Sequence, residues 1–129
     1  MKILIIEDDQ FCQQMLSAQV SAYGECHSAN DAGQAREKFQ AALADEPYQL
    51  ILLDLGLPEI DGLDLYREFQ ELEKNAGLKP DQIARIIVTT SETTPDVIEE
   101  AFDLGCSSYL MKPCTQTEIE RELKKLELV

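Results

Sequence analysis

A chain of 129 residues is long enough for one domain that hides roughly 65 to 70% of its unfolded surface, and too short for a second. Its 25 acidic residues against 11 basic ones give a net charge of -14, a field that repels nucleic-acid phosphates and anionic membranes and argues against DNA binding by this chain alone. No apolar stretch approaches the roughly 20 residues that cross a bilayer, and no cleavable leader pattern opens the chain, so a cytoplasmic location is expected.

The first predicted strand is Ile3-Leu4-Ile5-Ile6, a short branched run without alternation, which suits a strand covered on both faces. Glu7-Asp8-Asp9 come directly after it. Asp9 is expected to cap a helix that contains Phe11, Met15 and Ala18 and ends about Ala22. Another helix starts after Asn30, and the space between the two predicts a crossover strand near Glu25 to Ala29. The next buried run, Leu50-Ile51-Leu52-Leu53, ends in Asp54. Asp61-Gly62 reads as a turn and helix start, and Leu65, Phe69, Leu72 and Ala76 recur at helical spacing. Ile86-Ile87-Val88 is a strand ended by Thr89-Thr90-Ser91. Thr94 then caps a helix with Pro95 at its first position, Val97, Ala101 and Leu104 on one face, and Gly105 closing it. Tyr109-Leu110-Met111 is the last strand and ends at Lys112-Pro113. Thr115 and Glu118 form a capping box ahead of Ile119, Leu123 and Leu126, with Glu120 and Lys124 as an i, i+4 pair.

Strands alternate with helices, so the pattern predicts five β-α units in one doubly wound parallel sheet, without repeats or an interdomain linker. Four cysteines, Cys12, Cys26, Cys106 and Cys114, lack C-x-x-C spacing and lie in or beside apolar segments. They read as reduced thiols serving as small hydrophobes, although an even count also permits two disulfides.

Parallel strands deliver the residues at their carboxyl ends to one edge of the sheet. Here that edge receives Glu7 and Asp8, Asp54, the hydroxyls of Thr89, Thr90 and Ser91, and Lys112. Carboxylates about 4 Å apart repel by roughly 4 kcal/mol per pair at an effective dielectric near 20, so Glu7, Asp8 and Asp54 together call for a cation. A hard divalent ion, Mg²⁺ or Mn²⁺, is the natural one. Metal, lysine and hydroxyl around one carboxylate suit in-line attack on phosphorus, with an aspartyl phosphate as product. The sole histidine, His27, has no partner nearby in sequence, so a phosphohistidine would have to come from another protein.

Four stretches, Ile3 to Asp9, Leu53 to Gly62, Val88 to Ser91 and Tyr109 to Pro113, resemble in order and spacing the response-regulator receiver domains of two-component phosphorelay signalling, the chemotaxis regulators included. The resemblance covers essentially the whole chain, residues 1–129, as a single receiver domain without an output domain. It implies a flavodoxin-like fold with strand order 2-1-3-4-5 flanked by five helices. It implies Asp54 as phosphoacceptor, Asp8 as direct metal ligand, Glu7 as a ligand directly or through water, and the Gly56 carbonyl as another. Lys112 would pair with phosphoryl oxygens, with a cis peptide before Pro113. The switching hydroxyl would be Thr90, with Thr89 as competitor, and Tyr109 would be the aromatic that turns inward.

The default readings are plainer: a lysine in solvent, a threonine at a strand end, a half-buried tyrosine, and a Glu-rich last helix as a solvated face. Together the motifs favour a phosphorylation-activated switch without turnover of an external substrate. The resemblance implies a histidine kinase or histidine phosphotransfer protein as donor, a downstream effector protein bound through the face of the fourth helix, fifth strand and fifth helix, and a phosphorylation-dependent dimer. A metal-dependent aspartyl-phosphate phosphohydrolase and a phosphorylation-independent scaffold are the alternatives; the former resembles D-x-D, whereas Asp54-Leu55-Gly56 puts glycine at the second acid. Two positions depart from the family. Gly56 replaces a larger side chain and is expected to open the phosphoryl site to water and shorten the signal. The segment from Glu71 to Arg85 is long, and reads either as a recognition feature or as a tolerated insertion.

Overall fold

A computed structural model describes residues 1–91 and 94–129. The elements run β1 (Lys2–Ile6), α1 (Gln10–Val20), β2 (Glu25–Ala29), α2 (Ala32–Leu43), β3 (Leu50–Leu53) and α3 (Gly62–Asn75). A 3-10 turn at Pro80–Gln82 precedes β4 (Arg85–Thr90), α4 (Pro95–Leu104), β5 (Ser108–Met111) and α5 (Gln116–Lys125). The strands form one parallel sheet in the order β2-β1-β3-β4-β5, the expected doubly wound arrangement. The crossover strand inferred from spacing alone is β2, over the residues expected.

Alternation along each central strand sorts side chains to two faces. Leu4, Ile6, Ile51, Leu53, Ile86 and Val88 point to a core shared with Phe39, Leu65 and Phe69. Ile3, Ile5, Leu50, Leu52 and Ile87 point to the other core with Leu16, Val20, Ile119 and Leu123. Both faces are covered, which is why these strands are apolar throughout. Phe39 of α2 stacks on Phe69 of α3 at 4.1 Å between centroids, a contact worth about 1 kcal/mol beyond the area it buries.

Four helix starts are capped by side chains, whereas Thr94 stands at the N-cap of α4 ahead of Pro95 without a side-chain cap hydrogen bond. The side chains of Asp9, Asp31 and Asp61 accept from backbone N–H groups in the first turns of α1, α2 and α3, and Thr115 with Glu118 closes the capping box of α5. Gly105 ends α4 at φ 105°, a conformation that only glycine adopts without strain. Two expectations shift. The first helix stops at Val20 and buries Leu16 and Val20, leaving Phe11 74% exposed. In α3 the buried positions are Leu63, Leu65, Tyr66, Phe69 and Glu73, with Gly62, so the stripe is rotated from the predicted one and ends on a carboxylate. Among the described residues no helix is long and apolar enough to cross a membrane, and all four cysteines are free thiols.

Candidate phosphoacceptor site

Three backbone hydrogen bonds fix the charged edge. Glu7 N–H donates to Ala29 O at 3.1 Å, Asp54 N–H to Ile6 O at 3.0 Å, and Lys112 N–H to Thr90 O at 2.9 Å. Each of these residues is the first beyond its strand, so the parallel ladder carries its side chain to the same edge.

One carboxylate oxygen from each of Glu7, Asp8 and Asp54 lies within 4.8 Å of the others. Glu7 is fully buried, Asp54 is 4% exposed, and Asp8 faces solvent. Lys112 reaches into the cluster: its ammonium pairs with Glu7 Oε1 and lies 3.1 Å from Asp54 Oδ2. When all are ionised, three carboxylates against one ammonium leave two negative charges uncompensated, the charge of one divalent cation. The donor set is all oxygen and partly open on the Asp8 side, which fits a hard ion that keeps some of its waters.

Burial, opposed by the Lys112 contact and reinforced by Asp54, pushes the Glu7 carboxyl up to about 7. Burial works to lower Lys112, but Glu7 and Asp54 outweigh it and its ammonium is held more firmly than usual. Glu7 spends its other oxygen on Asp9 N–H at 3.2 Å. Both Glu7 oxygens are therefore engaged within the protein, whereas Asp8 remains open to solvent.

Gly56 N–H donates to Asp54 Oδ1 at 3.0 Å and orients the carboxylate. A Cβ at Gly56 would stand 3.6 Å from that oxygen, in ordinary contact, so a larger side chain here would cover the approach that glycine leaves open. The peptide between Lys112 and Pro113 is cis, as expected.

The two threonines diverge by alternation. Val88 belongs to the core below α2 and α3, and Ile87 to the core below α1 and α5. Thr90 therefore shares the face of Val88, and Thr89 that of Ile87. Tyr109 packs against the same core as Val88, which puts Tyr109 and Thr90 on one side of the sheet and Thr89 on the other. His27 stands apart from the cluster on β2, 2.7 Å from the Tyr48 hydroxyl and 3.4 Å from Glu25.

The site residues read from sequence thus assemble at one edge, with Thr90 and Tyr109 adjoining on one face. What sequence reasoning missed is the direct Glu7–Lys112 pair, since partners 105 positions apart share no periodic signal.

Comparison with known proteins agrees with this architecture. A family model described as the response regulator receiver domain matches residues 3–124. The transcriptional regulatory protein PmrA of Pectobacterium parmentieri is 33% identical over 126 residues, which is 98% of this chain and 52% of that protein. The transcriptional regulatory protein BasR of Escherichia coli strain K12 is 34% identical over 128 residues, again 98% and 52%. The chain thus spans about half the length of these curated relatives. Among solved structures, a CheY-like receiver domain protein from Methanospirillum hungatei superposes with TM-score 0.78 at 23% identity, covering 98% of this chain and 92% of that one.

Proposed function

The chain belongs to the response-regulator receiver domain family, and on that premise we propose that it is a switch thrown by phosphorylation of Asp54. The observation that carries this reading is Lys112, whose ammonium touches both Glu7 and Asp54 at the centre of a three-carboxylate cluster.

In this reading Asp54 Oδ attacks the phosphorus of a phosphohistidine on a partner protein; a P–O bond forms as the P–N bond breaks, and the imidazole leaves. Mg²⁺ or Mn²⁺ would be held by Asp8, Asp54 and the Gly56 carbonyl, supplying charge neutralisation for the equatorial oxygens. Glu7, with both oxygens engaged by Lys112 and Asp9, acts as a buried counter-charge that holds the lysine beside the acceptor and reaches the cation through water. Lys112 meets a second phosphoryl oxygen. Thr90 donates to a third, and its motion makes room for Tyr109; their common face of the sheet supports that coupling over one through Thr89. Full switching, from about 1:99 to about 99:1, requires phosphorylation to favour the active form by about 5.5 kcal/mol.

The partners implied by this chemistry are a histidine kinase or histidine phosphotransfer protein as donor and an effector protein downstream. Intact-mass analysis after incubation with Mg²⁺ and acetyl phosphate tests the reading. Wild type should gain one phosphoryl group and Asp54→Ala none; equal labelling of both, or no labelling of wild type, would overturn it.

A further inference from the structure

Behind Lys112 lies a small cavity between α1 and the segment just beyond β5, lined by Cys12, Met15, Leu16, Lys112, Pro113 and Cys114. Three of these six side chains carry sulfur. Cys12 and Met15 stand i, i+3 on one face of α1. Cys114 closes the opposite wall, buried, its thiol 3.4 Å from Met111 O.

The cavity holds about one water-sized occupant, yet its walls are sulfur and hydrocarbon apart from the Lys112 stem, whereas a buried water needs two to four polar partners. We propose that this cavity is a binding site for one soft monovalent cation, Cu(I) foremost, ligated by Cys12, Met15 and Cys114. Thiolate and thioether donors select Cu(I) over the hard ions that suit carboxylates, so the sulfur cavity and the oxygen cluster on either side of Lys112 would sort cations by softness.

Atoms and charge balance. Two thiols release two protons as two Cu–S bonds form, and the resulting Cu(I) dithiolate carries one negative charge, set against the stem of Lys112, whose ammonium stays with Glu7 and Asp54. No electron changes hands. Burial pushes both thiols up, Cys114 to about 11, so without metal they stay protonated and uptake should strengthen as pH rises.

The test is an anaerobic titration of the full chain with Cu(I) supplied as its bicinchoninate complex, read by loss of the complex's colour and by native mass. Wild type should withdraw one Cu(I) per chain, with a gain in neutral mass of one copper less one proton, as a monovalent ion requires. Cys12→Ser and Cys114→Ser should each withdraw none. Met15→Leu should bind more weakly, and Cys26→Ser, on β2, should bind as wild type does. Circular dichroism checks that Cys114→Ser folds; if it does not, the part-exposed Cys12 decides alone. Failure of wild type to compete, tight binding by Cys12→Ser, or loss of binding in Cys26→Ser would overturn the proposal. The readout is binding alone, so it stands or falls separately from phosphorylation of Asp54.

Discussion

Of the three carboxylates buried among the described residues, Glu7 and Glu73 lie at opposite ends of the sheet and do different work. Glu7 lies just past β1 at the carboxyl edge, among two other acids and a lysine. Glu73 sits on α3 near the amino end of β4, where its Oε2 accepts the Ala84 N–H at 2.9 Å. Burial raises the pKa of both. Glu73 behaves as a surrogate backbone carbonyl that pins the connection leading into β4, satisfying one buried donor. Glu7 instead belongs to a cluster whose charges do not cancel. Burial of an acid is therefore not itself a mark of function; unbalanced charge around it is.

Removal of Lys112 breaks that comparison most severely. Lys112→Ala should lose phosphate acceptance from acetyl phosphate, and at pH 8 in chelator should lose about 3 kcal/mol in urea unfolding, because Glu7 is left buried without its counter-charge. At pH 5 the loss should shrink, since Glu7 takes a proton instead.

Acid and base should act on the metal-free wild type in an unusual direction. The folded-state value of Glu7 lies above its unfolded one, so the folded chain retains a proton that the unfolded chain has lost. That stability is fully present below about 4.5 and lost as pH rises through about 7, a fall of up to about 3 kcal/mol from this group. Glu73 acts with the same sign. Mg²⁺, bound by the ionised cluster, should recover the loss above pH 7. Stability that is flat across this range, or indifferent to Mg²⁺, would count against the cluster as a cation site.

Glu73 sharpens the contrast. Glu73→Ala should cost about 1 to 3 kcal/mol by orphaning the Ala84 N–H, whereas Glu73→Gln keeps an acceptor and should cost little or even stabilise at pH 8. Neither should alter phosphate uptake by Asp54. The smallest effect on folding belongs to Gly56→Met, which should leave the urea midpoint near wild type but lengthen the half-life of the phosphorylated form by covering Asp54 Oδ1. A shorter half-life would reverse the reading of glycine at this position.

These residues also show what a sequence carries. Strand cores, helix caps and the acidic cluster were legible because each is written in adjacent residues or short spacings: four branched residues in a row, T-x-x-E, an aspartate directly after Leu53. Glu73 was not legible. Helical periodicity assigned its neighbourhood to Leu72 and Ala76, and only the return of the chain from Gly77 to Ala84 supplies the donor that makes a buried carboxylate tolerable there. The segment from Glu71 to Arg85 is thus anchored from within by Glu73. The Glu7–Lys112 pair, the His27–Tyr48 contact and the meeting of Cys12 with Cys114 around one cavity likewise exist only once the sheet is assembled. The choice between Thr89 and Thr90 needed strand alternation anchored at both ends, by Val88 in one core and Ile87 in the other.

The amide protons of Glu7, Asp54 and Lys112 are each tied to the last carbonyl of the neighbouring strand or, for Lys112, of β4. They exchange with solvent when those pairings open, and the Asp54 amide, between the interior strands β1 and β3, should open least often of the three. The acceptor, its counter-ion and the acid behind them are consequently bolted to the frame, and any mobility that a signal requires is left to side chains and to the helices outside it.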